Sequence, residues 1–205
     1  MHQSVADKFI EFSTRFEGRV NWMYLDVRGL VTVGIGNLID PVYLAQTLPF
    51  RHVGSNERAT VAEISLEWHR IKTMQSLARE GHVAAGKYAT LHLPNADVDA
   101  LVREKMVQFE IHLRHHFDGW DRYPADAQLG ILSMAWAMGP DFPRKFPAFT
   151  RACRIGDWTQ ASAQCLMRTT GNPGLIPRNK ANRDAFIYAQ QTKITMGDVS
   201  VLRSV

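Results

Sequence analysis

No apolar run in these 205 residues approaches the roughly 20 that a membrane-spanning helix requires. The opening stretch, MHQSVADKFIEF, has no basic segment followed by an apolar one, so no secretory signal is expected. Cysteine is scarce. Cys153 and Cys165 are the only two, and no CxxC or Cys/His spacing marks a zinc or redox centre. Both fall at apolar positions of neighbouring helical stretches, which suits buried free thiols; a bridge between them stays open at this level. No run of Lys and Arg and no RNA-binding signature points to nucleic acid. Internal repeats and low-complexity tracts are missing too, so solenoids and linker-like chains are excluded.

What is there is globular. Apolar residues make up 45% and charged residues 21%, a balance that supports a sizeable core. The length fits a single domain, 1–205, built as two lobes. The formal charge is +4 and the pI about 9.2. That excess either draws an anionic partner, such as nucleic acid, anionic lipid or a cell-wall polymer, or only keeps the chain soluble.

Periodicity divides the chain. Val5, Phe9, Phe12 and Phe16 recur every three or four residues, which predicts a helix over Ser4–Phe16 closed at Glu17-Gly18. From Met23 to Asn37 the residues turn β-branched and aromatic, broken at Arg28-Gly29, which predicts a hairpin or small antiparallel sheet. Thr60 and Glu63 have capping-box spacing ahead of a helix running to about Gln75. Residues 76–95 are ambiguous. Helices follow from Asp97 or Asp99, over Asp126–Gly139 (apolar nearly all round, hence central), over two shorter Gly-closed segments, and from Arg178 to about Gln191, with NPGLIP as a turn. The expected class is α+β. A small β lobe (about 18–60) joins a helical lobe (about 61–195 with helix 4–17), with a cleft between them.

The segment FEGRVNWMYLDVRGLVTVGIGN, Phe16–Asn37, carries the chemistry. Glu17 ends a helix beside Phe16 and near Trp22, where partial desolvation favours a protonated acid. Asp26 sits on the hairpin, where a carboxylate can stay ionised. Thr32 offers a hydroxyl that could hold a water. Gly34 and Gly36 leave the backbone open to a bulky ligand. Two carboxylates on opposite sides of a glycosidic bond are the requirement for its hydrolysis. Singly, each residue has an ordinary reading: a solvated helix end, a turn cap, a bulge. The aromatics Trp120, Tyr123, Trp136 and Phe142 could serve as sugar platforms, but core packing accounts for them as well. His112, His115 and His116 have helical spacing, yet no further ligand joins them, and a solvent face is expected.

Taken together, this segment resembles the active-site stretch of the phage-type lysozymes, the glycoside hydrolase family 24 muramidases. Their pattern is Glu-Gly, an Asp nine residues after the Glu, and a Thr six after the Asp in a TxGxGH-like strand. Here it reads Glu17-Gly18, Tyr24-x-Asp26 and Thr32-Val33-Gly34-Ile35-Gly36-Asn37, with Asn37 where the family has His. ILSMAWAMG and FPAFTRACRIGDW are similar to the family's central helix and the helical hairpin after it. GLIPRNKANRDAF resembles its GLxxRRxxExxLF signature, placing Arg178 on the first arginine; Asn179 and Asn182 depart from the pattern. Residues 41–95 do not align.

The resemblance implies a lysozyme-like fold and a peptidoglycan substrate cut between N-acetylmuramic acid and N-acetylglucosamine. Glu17 would be the acid. Asp26 with Thr32 would activate a water, with inversion and carboxyls about 6.5–9.5 Å apart. Gly34, Gly36, Asn37 and Arg178 would contact or orient the substrate side, and no metal or cofactor is implied. It further implies a monomer, made in the bacterial cytoplasm and acting on the wall. Delivery would be by holin release as an endolysin, or by a secretion apparatus as an antibacterial effector with an immunity protein as partner. Two other readings are an inactive lysozyme-like module that binds the wall or serves as a structural adaptor, and a glycosidase of chitin-like polymers.

Overall fold

A computed structural model describes residues 1–205. The chain is mixed α and β, with ten α-helices, a three-stranded antiparallel sheet and a separate two-stranded one. It divides into two compact units, Glu17–Val102 and Met1–Phe16 with Arg103–Val205.

Helix α1, Gln3–Glu17, buries Val5, Phe9 and Phe12, the stripe its periodicity predicts. Strands β1 (Val20–Leu25), β2 (Val31–Gly34) and β3 (Asn37–Leu38) then form a sheet in chain order. Tyr24 pairs with Thr32 and Leu25 with Val31, and an irregularity interrupts the β1 register between Val20 and Tyr24. Strand β1 begins earlier than Met23 because Asn21 is already engaged: its backbone carbonyl accepts from Leu93 and its side chain donates to the Leu93 carbonyl. Met23 and Leu25 face the core, while Trp22, Tyr24 and Asp26 stay half-buried on the other side.

The segment 41–95, which does not align with the family pattern, is structured, and the helix expected after Thr60 is there. It holds α2 (Tyr43–Gln46), β4 (Arg51–His52), α3 (Val61–Thr73), α4 (Leu77–Glu80), α5 (His82–Gly86) and β5 (Leu91–His92). The capping box forms as expected, with Thr60 accepting from the Glu63 N–H and Glu63 from the Thr60 N–H. Glu67, on the core side of α3, accepts the N–H groups of Thr90 and Leu91 and the Thr90 hydroxyl, and so ties β5 to α3. Because these elements surround the sheet, the change of unit comes at Val102, not near residue 60. It falls inside α6, Asn95–His116. That helix starts at Asn95 because the Pro94 carbonyl already accepts the N–H groups of Asp97 and Val98.

In the other unit α7, Ala125–Met138, is buried along nearly its whole length. Phe9 and Phe109 meet Trp136 at ring distances of 5.1 and 5.7 Å. Trp120, Tyr123, Trp136 and Phe142 are all core residues. Helices α8 (Pro147–Arg154) and α9 (Trp158–Gln164) lead to α10, Leu175–Ile194. Helix α9 stops at Gln164, short of Gly171. Helix α10 starts three residues before Arg178, so NPGLIP is only in part a turn. Pro177 lies in its first turn, where a missing N–H costs little. The weakly patterned tail is anchored: Asp126 accepts the N–H groups of Arg203 and Ser204. Cys153 and Cys165 are buried free thiols.

No helix is long and apolar enough to cross a membrane.

Candidate active site

Glu17 is the last residue of α1 and is half-buried. Its side chain lies along the loop between β2 and β3. A Cβ built on Gly36 would sit 3.2 Å from Glu17 Oε2 and 3.3 Å from its Cδ. Gly36 has φ +70°, so glycine is required there twice over, by the backbone and by the carboxylate.

Asp26 opens the β1–β2 turn. Its Oδ1 accepts the N–H of Arg28 at 2.8 Å and of Leu30 at 2.9 Å, while its own N–H donates to the Leu30 carbonyl at 2.9 Å. Thr32 donates its hydroxyl to that same carbonyl at 3.2 Å. Asp26 and Thr32 are therefore joined through Leu30. Short Asx-type bonds of this kind hold a carboxylate in one orientation.

Tyr24 stands between Thr32 and Asp26 in the ladder. It pairs across the ladder with Thr32 and lies two residues before Asp26, on the same strand face. Burial first, then the negative charges of Glu17 and Asp26, hold its phenol well above the ordinary tyrosine range. The phenol stays protonated and can donate. Sequence reading quoted Tyr24 within the motif without giving it a part. Strand alternation was the signal, since residues 24 and 26 must share a face.

The sequence matches no protein-family model and no curated protein.

Of the four residues assigned to the substrate side, only Gly36 is even partly exposed. Gly34 is covered. A Cβ there would meet Val98 Cγ1 and Asn37 Oδ1, each at 3.1 Å, so the missing side chain makes room for the protein's own core. Asn37 is 2% exposed and its Oδ1 accepts the Ile35 N–H at 3.1 Å. It shapes the glycine turn and does not present itself to a polymer. Arg178 belongs to the helical unit, is 2% exposed, and lies with its guanidinium 5.0 Å from the Phe16 ring centre, a cation–π contact. Gly34, Asn37 and Arg178 are thus all covered by the protein's own atoms.

The aromatics that do reach the Asp26 side of the sheet are Trp22 and Tyr24. Trp22 donates its indole N–H to the His82 carbonyl at 2.8 Å, and Tyr24 meets the His82 ring edge-on at 6.0 Å. His112 and His115 are exposed and His116 half-buried, and no group of three metal-ligating side chains forms.

Proposed function

We propose that the chain is a muramidase with a lysozyme-like fold, hydrolysing the β-1,4 bond between N-acetylmuramic acid and N-acetylglucosamine in bacterial peptidoglycan. One observation carries this reading: Tyr24 is paired with Thr32 and shares a strand face with Asp26, while the Glu17 carboxylate lies against Gly36 in the β2–β3 loop of the same sheet. The residue types and spacings of the phage-type lysozymes support it.

Glu17 donates a proton to the leaving glycosidic oxygen as the bond to the anomeric carbon breaks. A water attacks that carbon from the opposite face and gives its proton to Asp26. Both turn bonds to Asp26 fall on Oδ1, so Oδ2 is the oxygen suited to the water. Thr32 spends its proton on Leu30, and its lone pairs can accept from the same water. The resemblance gives Arg178 an orienting part; within its own unit its guanidinium packs on Phe16. In this reading the enzyme serves lysis, as an endolysin or as an effector paired with an immunity protein.

One observation favours a second reading, an inactive wall-binding module. Asp26 and Thr32 each have a structural task in the turn, which alone would account for them.

Digestion of purified sacculi with mass analysis of the fragments decides. New reducing muramic ends support hydrolysis, and anhydro-muramic ends would remove the water-activating part of Asp26. Glu17→Gln should abolish release. Asp26→Asn keeps an oxygen for Arg28 and Leu30, so it should leave the unfolding midpoint nearly unchanged while lowering the rate by about 10²-fold or more. Full activity in either variant contradicts the proposal.

A further inference from the structure

The turn that carries Asp26 is gripped from outside the sheet. Lys72, on the last turn of α3, donates to the Gly29 carbonyl at 2.8 Å and to Asp40 Oδ2 at 2.6 Å. Asp40 Oδ2 also accepts the Val31 N–H at 3.1 Å. One ammonium and one carboxylate thereby hold both ends of the segment that closes the turn after Asp26. The seat is tight. Gly29 has φ +73°, and a Cβ on it would lie 2.3 Å from Gln75 Oε1. Gln75 is in turn bonded to the Lys72 carbonyl at 2.6 Å. Trp68 completes the hold, donating its indole N–H to the Ile39 carbonyl at 2.8 Å, with Lys72 Nζ 5.9 Å from its ring centre.

The pair is built to persist. Asp40 is largely shielded, with a side-chain exposure of 14% against 31% for Lys72. Burial pushes the Asp40 carboxyl up, but the Lys72 bond, the Val31 N–H and the Lys72 charge outweigh it and leave it below the ordinary value. Charge-assisted bonds of this length are the stronger class. Nothing in the immediate chemistry of Asp26 calls for them. The Gly29 carbonyl could face water, and Gly29 already donates its own N–H to the Asp26 carbonyl.

We propose that Lys72 and Asp40 are positioning residues: their ion pair, seated on α3, holds the 26–30 turn so that the Asp26 carboxylate keeps one fixed aim. The catalytic consequence rests on the muramidase reading; the mechanical one does not. Neither residue touches the reacting atoms. Lys72 acts through Gly29, and Asp40 through Val31. The segment 61–75, which aligns with nothing in the family pattern, thereby becomes part of the site's machinery.

The test compares Lys72→Met, which keeps the stem and removes both bonds, with Lys72→Arg, which keeps the charge, and Asp40→Asn, the milder disruption. Amide hydrogen exchange reads the turn directly. In Lys72→Met the Arg28 and Leu30 N–H groups should exchange about tenfold faster or more, while amides of α7 keep their wild-type rates. On soluble wall oligosaccharides kcat should fall by about tenfold or more with KM within about twofold, because misaimed catalytic groups cost rate and not binding. Lys72→Arg should recover part of both. If Lys72→Met does not fold, Asp40→Asn carries the same two measurements. Unchanged Arg28 and Leu30 exchange overturns the proposal, and so does a rise in KM at constant kcat. A wild-type protein that releases no reducing ends sinks the muramidase reading alone, and the exchange rates still decide the clamp.

Discussion

A single methyl group at Gly36 would press on the Glu17 carboxylate. The built Cβ lies 3.2 Å from Oε2, and the backbone there is left-handed at φ +70°. A non-glycine residue in that conformation costs about 1–2 kcal/mol. Gly36→Ala should therefore lower the unfolding midpoint by a few degrees and, more specifically, turn Glu17 away and cut wall hydrolysis well beyond what the lost stability explains. Activity measured well below the melting temperature separates the two effects. At this scale the sequence was informative about types and silent about exposure. The spacing of Glu17, Asp26 and Thr32 is what carries the proposal made for them. Asn37 and Gly34 were read as facing the substrate, but both are covered, because Val98 and the Ile35 N–H claim the space and the oxygen. A residue's place along a strand does not say which neighbours will cover it.

Elements differ in how far their own sequence accounts for them. Helix α3 announces its start through the Thr60–Glu63 box and its core face through Ile64, Trp68 and Ile71. Its purpose, seating the Asp26 turn, appears only in the folded chain. Helix α7 shows the same division. Its apolar circumference marks it as buried, yet the closeness of α10 depends on Gly130, where a Cβ would lie 2.7 Å from Phe186 Cζ. Gly130→Ala gains helix propensity but overpacks this crossing. We expect a net destabilisation of about 1–3 kcal/mol, read from denaturant midpoints at constant m-value. Wild-type specific activity should persist at low temperature.

The whole molecule should be most stable between the acid and alkaline limits set by its buried groups. Asp40, held below the ordinary carboxylate range mainly by Lys72 and Val31 against burial, contributes stability above the unfolded-state pKa of about 4 and loses it as pH falls through the lower folded value. At the other limit, burial pushes the Cys165 thiol up to about 11, and raises the Cys153 thiol and the Tyr24 and Tyr123 phenols. A raised folded value means stability is complete below the unfolded pKa and is lost as pH rises past it, from about pH 8.5 for the thiols. A melting profile against pH should therefore plateau from about pH 5 to 8 and fall on both sides. Both thiols should resist alkylation in the native protein and react fully in denaturant.

Helix faces, the capping box, the buried central helix and the Glu–Asp–Thr spacing were all written locally. Each depends on groups within a few residues of one another, and periodicity or a short hydrogen bond is enough to specify it. The folded chain alone decided that Lys72 would reach Gly29 across 43 positions and Asp40 across 32, that Asn37 would be covered, and that the sheet's unit would run to Val102. Those outcomes come from chain segments closing on one another. Such closure is set by how all the apolar surfaces fit at once, and no short stretch of sequence encodes that fit.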